Sequence, residues 1–200
     1  MKLWLALSLV LLITACRSNN DEMTKIIFLH HSTGEAIWKG GTNRYLYRLT
    51  GKGDVQKYFD AYNRKNKTSY EINAQNFPKS APYGWNNYPY DYYNIWVKNA
   101  GSAPFMEEPT LEILTPEYDV IILKHCFPVS RILPDSGSPD IDSDIKSLEN
   151  YKLQYGALKE KMHQFPDNKF IVWTPAANTK LKSKEDEALR TREFYDWVIN

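Results

Sequence analysis

Four short segments, separated by longer stretches with apolar residues at helical spacing, dominate the pattern along the chain. They cover residues 25–30, 70–75, 119–124 and 169–173. Three of them are nearly continuous apolar runs, as is typical of strands buried on both faces, whereas residues 70–75 alternate. Strands separated by helices predict an α/β fold: a three-layer α/β/α domain with a mostly parallel sheet.

The spacing of apolar residues predicts helices over residues 54–63, 144–163 and 183–200, and a shorter one over 92–100. In the first helix we expect one apolar face, and in the third we expect four side chains to point inward. The first set is Val55, Tyr58, Phe59 and Tyr62, and the second is Leu189, Phe194, Trp197 and Val198.

Aromatic side chains are concentrated between Tyr83 and Trp96, where they line a concave surface or fill the core. Polar residues interleaved with the rings, at Asn86, Asn87 and Asp91, favour partial exposure.

Residues 1–15 have the pattern of an export signal. Lys2 precedes an apolar stretch over residues 3–13, and the small residues Thr14 and Ala15 follow it. This stretch is shorter than the roughly 20 residues that a membrane-spanning helix needs. A cleaved signal is therefore favoured over a transmembrane anchor.

The tetrapeptide Ile13-Thr14-Ala15-Cys16 resembles the lipobox of bacterial lipoproteins. The resemblance implies cleavage before Cys16, lipidation of its thiol and anchoring in the bacterial cell envelope. An ordinary signal peptide with Cys16 as a bystander is the alternative. Residues 16–24 are then a flexible lipidated tether. Arg17, in place of an aspartate, implies the outer membrane rather than the inner one.

Composition limits the partners and the stabilising devices. The formal charge of +1 falls to zero when Lys2 leaves with the signal, which argues against nucleic acid as a partner. Residues 25–200 are enough for one domain with its own core. With Cys16 lipidated, only Cys126 remains, and no intramolecular disulfide is possible. A free cysteine in this setting is more often a small buried hydrophobe than a nucleophile.

The predicted last helix reaches Asn200 with no strand after it. Doubly wound sheets usually close with a further strand and helix. We therefore expect the chain to be truncated at its C-terminal end.

Two loops contain the candidate chemistry. Parallel sheets bind ligands at the carboxyl ends of their strands. The loop over residues 30–34 (HHSTG) and the loop over residues 125–128 (HCFP) should therefore share one crevice. Ser32, on a turn that includes Gly34, has the exposure that a nucleophile needs, although a nucleophilic serine also needs a base and oxyanion donors. The alternative is that Ser32 caps the following helix.

Three blocks, FLHHSTG, YDVIILKHCFP and FIVWTPAANT, resemble the SGNH/GDSL-type hydrolase superfamily. They are most similar to a branch of bacterial lipoproteins in which HHS replaces GDS. The resemblance implies that Ser32 is the nucleophile and that its backbone N–H serves the oxyanion hole together with a glycine, for which Gly84 is the candidate. Gly34, Gly84, Lys124 and His125 are the predicted oxyanion or substrate-binding residues.

The chain departs from that family in two places. The third block normally ends in a glycine and an asparagine, whereas this chain has residues 124–128 (KHCFP) there, so that Lys124 or His125 would replace one oxyanion donor. No Asp-x-x-His block is present, and its closest counterpart, residues 160–163 (EKMH), is predicted on a helix away from the crevice. We therefore expect the base to lie beyond Asn200 and this 200-residue piece to be inactive.

No metal site is predicted. The run Asp140-x-Asp142-x-Asp144 lacks the glycine and glutamate of a calcium loop and fits the start of the next helix, where acidic residues are favoured. The histidines and Cys126 show no metal-ligand spacing. His30 and His31 are consecutive and should face opposite sides of their strand, so at least one is expected to be a structural, hydrogen-bonded histidine.

These observations predict an esterase or deacylase that acts without a cofactor on O-acyl groups of carbohydrate or lipid at the envelope. The alternative is a non-catalytic glycan-binding surface lipoprotein that keeps the fold and uses its aromatic crevice for binding.

Overall fold

A computed structural model of the protein describes residues 23–173, 179 and 182–200, without the side chains of residues 127 and 128. Its strands are β1 (Thr24–His30), β2 (Tyr70–Asn76), β3 (Val120–Lys124) and β4 (Lys169–Trp173). Its α-helices are α1 (Thr33–Lys39), α2 (Arg44–Thr50), α3 (Asp54–Asn66), α4 (Pro89–Tyr93), α5 (Leu111–Leu114), α6 (Leu148–Met162) and α7 (Glu185–Ile199). A π-helical turn (Asn94–Lys98) continues α4, and a 3-10 turn (Phe127–Ser130) follows β3. The predicted export signal and Cys16 lie outside the described residues.

The four strands form one parallel sheet in the order β2-β1-β3-β4, with helices on both faces. The predicted α/β fold is confirmed, and each predicted strand boundary agrees with the structure to within one residue. In the register, Phe28 lies beside Ala74 on one neighbouring strand and beside Ile122 on the other. The predicted strands therefore assemble with their carboxyl ends along one edge.

The face of the sheet under α4–α7 holds the larger core. Ile27 and Leu29 of β1 and Ile121 and Leu123 of β3 point into it and are buried. The helices contribute mostly large side chains that are fully buried, namely Tyr92, Ile95, Trp96, Leu111, Tyr151, Leu158 and Phe194. Burial of this much apolar surface is the main stabilising contribution to the domain.

The opposite face, under α1 and α3, holds a smaller core. Its buried members are Ile26, Phe28, Trp38 and Ile72. This cover does not extend to β4, where Ile171 and Trp173 are 50% and 41% exposed. One corner of the sheet therefore presents apolar side chains to solvent.

The prediction of partial exposure for the aromatic segment is wrong for its main rings. Trp85, Tyr92, Tyr93 and Trp96 are all buried. The interleaved polar groups find partners inside the protein: Asp91 accepts hydrogen bonds from the backbone N–H groups of Asn86 (2.7 Å) and Tyr88 (3.0 Å). Because the Asp91 carboxylate finds these partners within the protein, the rings around it can pack as core.

The predicted helix starts and inward faces also need correction. The helix predicted from residue 144 begins at Leu148, because Ser147 caps it by accepting from the N–H of Asn150 (3.3 Å). The acidic run over residues 140–144 therefore precedes the helix instead of opening it.

In α7, Phe194 is buried as expected, but Leu189 is 64% exposed and Trp197 is also exposed. This helix packs against α6 and the 3-10 turn along one narrow stripe. In α3, Val55 and Phe59 pack on the smaller core, whereas Tyr58 and Tyr62 are exposed.

Candidate active site

The topology creates a crevice between the carboxyl ends of β1 and β3. These strands are neighbours, but β1 leads through α1–α3 to β2 on one side, and β3 leads through α6 to β4 on the other. Such a switch point opens a gap between diverging loops, where ligands of doubly wound sheets bind. The predicted meeting of the loops that contain Ser32 and His125 is thus a property of the strand order.

Ser32 occupies a strained turn at this crevice. It is exposed, and its backbone has φ 43° and ψ −96°, a conformation that residues other than glycine rarely adopt. It stands at the N-cap position of α1, but its side chain makes no capping hydrogen bond. Ser32 therefore occupies the N-cap position, but its hydroxyl does not cap the helix. Strain of this kind is often retained where a side chain must be presented in a fixed direction.

Gly34 allows the turn to lie directly on β1. A Cβ atom at this position would stand 2.3 Å from Cβ of His30, closer than atoms can approach. The N–H of Gly34 donates to the carbonyl oxygen of His31 (2.8 Å). Close packing thus accounts for Gly34, and its N–H is engaged within the turn instead of facing a substrate.

His30 is buried beneath α1, with Glu35 as its charged neighbour. The distance from His30 Nε2 to Glu35 Oε2 is 3.9 Å, and Glu35 Oε1 accepts a hydrogen bond from the Tyr47 hydroxyl (2.7 Å). Burial lowers the pKa of His30, and Glu35 only partly opposes that shift. Sequence reasoning missed Glu35, although the spacing Ser32-x-x-Glu35 is that of a capping box. In the structure this carboxylate lies near the histidine.

His31 ties the serine turn to the segment after β2. Its Nε2 donates to the carbonyl oxygen of Pro78 over 2.7 Å. One of the two consecutive histidines is therefore hydrogen-bonded in a structural role, as expected. When the ring is neutral, this bond leaves the lone pair on Nδ1.

Lys124 and His125, the predicted replacement donors, have different surroundings. Lys124 follows the β1–β3 register to lie beside His30 on the face under α1, and its ammonium donates to the carbonyl oxygen of His125 (3.2 Å). Burial lowers the pKa of Lys124. The Lys124 amine is therefore a buried group that is close enough to His30, the residue at the start of the serine loop, to influence its pKa.

His125, in contrast, belongs to the larger core. Its ring centroid lies 4.8 Å from that of Tyr92, and Nδ1 donates to the carbonyl oxygen of Asn87 (3.3 Å). Burial lowers the pKa of His125 to about 4, so the imidazole is neutral at pH 7. The structure therefore places His125 in a packing role, while Lys124 stays at the crevice.

Gly84, the predicted second oxyanion donor, lies in the segment after β2. It is exposed, has φ 76°, and its N–H donates to the carbonyl oxygen of Ser80 (2.6 Å). That N–H is engaged in a local turn. Cys126 is buried and free, in agreement with its interpretation as a small hydrophobe.

Trp173 contributes an aromatic surface that sequence reasoning assigned only to a strand. It ends β4 on the face under α1, beside Lys124 in the register, and its ring centroid lies 5.5 Å from that of Phe28. The indole therefore lies across the end of β3 and remains partly open to solvent. No feature of the sequence distinguishes this exposed tryptophan from the buried ones.

Among the described residues, no histidine or carboxylate hydrogen-bonds to Ser32, and no group of three potential ligands could hold a metal ion. Asp142, in the acidic run, instead pairs with Lys98 (2.8 Å). Residues 174–178, which follow β4 and belong to the third sequence block, lie outside the described residues. The described part of the crevice thus supplies an exposed serine on a strained turn and a buried lysine near His30, but no base in contact with Ser32.

No helix in the described part of the chain has the length and apolar character needed to cross a bilayer. Comparison with protein-family models, with curated proteins and with solved structures found no significant match.

Proposed function

We propose that the protein is an envelope-anchored serine esterase or deacylase of the SGNH type, acting on O-acyl groups of carbohydrate or lipid. The observation that carries the proposal is the placement of Ser32, exposed on a strained turn at the switch point of a parallel sheet. Nucleophiles on strand-to-helix turns of this kind are held away from the backbone of the following helix, where a substrate can reach them.

In the proposed reaction the Ser32 hydroxyl attacks the acyl carbon, and its proton passes to a base. The substrate alcohol then leaves with a proton, and water releases the acyl group from the serine. The base is the histidine that the family resemblance implies. Lys124, next to His30 at the same edge, supplies positive charge for the developing oxyanion. The chemistry needs no cofactor.

Trp173 supports a sugar-bearing substrate. An exposed indole beside a crevice offers an apolar face on which a sugar ring can stack. The aromatic segment over residues 83–96 does not serve this purpose, because its main rings are buried. The carbohydrate side of the proposal therefore depends on Trp173.

Labelling of the full-length gene product with a fluorophosphonate tests the nucleophile without a choice of substrate. We expect the probe to add to Ser32 and the addition to disappear in Ser32→Ala. Ser102→Ala, which removes another exposed serine, is the matched control and should label normally. Hydrolysis of a short-chain p-nitrophenyl ester should follow the labelling. Unchanged labelling of Ser32→Ala would exclude Ser32 as the nucleophile.

A second candidate function is glycan binding without catalysis. It is favoured by the lack of a base in contact with Ser32 among the described residues. In that case Ser32→Ala binds acetylated glycan as tightly as the parent protein, while Trp173→Ala loses binding, and neither protein hydrolyses the ester. Binding lost with Trp173 together with hydrolysis lost with Ser32 would instead support the enzyme.

A further inference from the structure

Helix α2 presents an apolar surface that nothing in the described structure covers. Leu49 is 83% exposed, Tyr45 is 78% exposed and Leu46 is 55% exposed. Tyr45 and Leu49 are four residues apart and share the outer side of the helix, while Tyr47 points inward to Glu35. These three exposed side chains, with Arg44 and Arg48, are called the α2 face below.

The charged groups of the α2 face itself are both positive, and neither Arg44 nor Arg48 makes an ion pair with a described residue, whereas nearby Lys52 pairs with Asp60 (3.2 Å). Residues 36–53 contain Lys39, Arg44, Arg48 and Lys52 and no aspartate or glutamate. Both arginines are exposed. An apolar strip of Tyr and Leu flanked by arginines matches a lipid surface, where the rings and aliphatic chains enter the interface and the guanidinium groups meet phosphates.

The helix is fixed at both ends, so the surface is preformed. The Asn43 side chain accepts from the N–H of Tyr45 (2.9 Å) at the start. Gly51, in the left-handed conformation, ends the helix and donates its N–H to the carbonyl oxygen of Tyr47 (2.8 Å). Binding at this surface would therefore not need to order a disordered segment.

The α2 face also lies close to the point where the chain enters the domain. Met23 and Lys52, the residue after Gly51, line one cavity of about 250 Å³. Cys16 is seven residues before Met23, a distance of at most about 25 Å at full extension. A lipid on Cys16 would thus hold this flank of the domain near the bilayer.

We infer that the α2 face docks on an anionic lipid surface and fixes the orientation of the domain on the membrane. The inference rests on the proposed envelope attachment for the position of the bilayer, and it does not depend on hydrolase activity. Anionic headgroups attract each nearby Lys or Arg, so the two arginines add to the apolar contact.

Spin labelling of the full chain tests the inference. The chain carrying Leu49→Cys is labelled with a nitroxide and held in vesicles of phosphatidylcholine and phosphatidylglycerol. Cys126 is buried and stays unlabelled. Leu189→Cys, at an exposed leucine of α7, is the matched control. We expect the label at residue 49 to collide with oxygen in the lipid and to be protected from a water-soluble nickel chelate, and the label at 189 to show the reverse.

The double variant Arg44→Gln/Arg48→Gln should lower the equilibrium constant for docking of the α2 face on the vesicle by about 30-fold, because two charges near an anionic surface are lost. Equal nickel accessibility at residues 49 and 189 would overturn the inference. Spin–spin broadening at residue 49 without vesicles would also overturn it, because the face would then bind a second copy. Mass spectrometry of Cys16 and fluorophosphonate labelling of Ser32 on the same sample report separately on the anchor and the hydrolase.

Discussion

The face of the sheet under α4–α7 holds most of the buried aromatic side chains among the described residues, whereas the face under α1 and α3 buries four hydrophobic residues. Both faces of β1 and β3 are apolar, so the difference comes from the helices that cover them. Helices that contribute many aromatic side chains cover the first face. Two helices cover half of the second and leave Ile171 and Trp173 exposed.

The residues that stabilise the fold and the residues proposed to act on a substrate therefore lie in different parts of the molecule. The residues proposed to act on a substrate, Ser32, Lys124 and Trp173, lie at the crevice or on the thinly covered face. A thick core on one side can hold the strands in place while the other side stays open at their ends.

The largest expected effect comes from a matched pair of tryptophans, one on each face. Trp96 is fully buried, stacks on Phe77 at 5.2 Å and donates from Nε1 to the carbonyl oxygen of Pro109 (3.1 Å). Trp96→Ala should lower the free energy of unfolding by about 3–5 kcal/mol. Trp173→Ala should lower it by less than about 1 kcal/mol, because this ring is partly in water. Urea denaturation measures both, and equal losses would refute the contrast between the faces.

A pH-dependent effect of nearly the same size is expected from His125. Burial lowers its pKa to about 4, whereas an unfolded histidine titrates near 6.5. Between about pH 6.5 and pH 4 the unfolded state therefore binds a proton at His125 that the folded state does not bind. The contribution to stability is complete above pH 6.5 and is lost as the pH falls toward 4, by up to about 3 kcal/mol.

Urea unfolding at several pH values checks this expectation against two variants. His125→Asn, which keeps a donor for Asn87, should lose this part of the pH dependence. His30→Asn, on the other face, should remove less of the pH dependence of the free energy of unfolding, because Glu35 favours the charged form of His30. An unchanged slope in His125→Asn would contradict the assignment.

Two glycine substitutions test how tightly α1 lies on the smaller core. Gly34→Ala should cost about 1–3 kcal/mol, because the new methyl group overlaps His30. Gly156→Ala, in α6 with open space around it, should instead stabilise the protein by about 0.5–1 kcal/mol. Thermal unfolding distinguishes the two signs. A neutral Gly34→Ala would mean that α1 can move away from β1.

The smallest expected effect is at the uncovered corner. Ile171→Thr keeps a β-branched residue in β4 and should change the free energy of unfolding by no more than about 0.5 kcal/mol. Ile121→Thr, the same change at a fully buried position, should cost about 1–3 kcal/mol through a buried hydroxyl. Chemical denaturation compares them. A large loss at Ile171 would show that this corner is covered in solution.

Three of the strands could be predicted because their apolar runs are short, continuous and bounded by polar turns, and β2 because its residues alternate. The inward faces of the helices could not be predicted equally well, since Leu189 and Phe194 differ in burial only through the position of a neighbouring helix. The exposure of the aromatic segment over residues 83–96 was predicted wrongly for a similar reason. Asn87 and Asp91 signal exposure in a sequence, but inside the fold the Asp91 carboxylate accepts from backbone N–H groups and the Asn87 amide donates to the carbonyl oxygen of Phe77.

The candidate site shows the same limits. The meeting of the loops after β1 and β3 follows from the order of elements, so Ser32 and Lys124 could be placed from sequence. Glu35 and Trp173 could not, because their importance depends on which side chains they approach across the fold. The engaged N–H groups of Gly34 and Gly84 depend on local turns that the sequence does not specify.

The backbone of Ser32 also has a consequence for how this protein can change over generations. A residue with a Cβ in that conformation costs about 1–3 kcal/mol, which a glycine would largely recover. Where the hydroxyl had no use, selection for stability would therefore favour glycine at this position. Ser32→Gly is thus a single change toward greater stability, and a lineage that uses the hydroxyl keeps the serine at the expense of that stability.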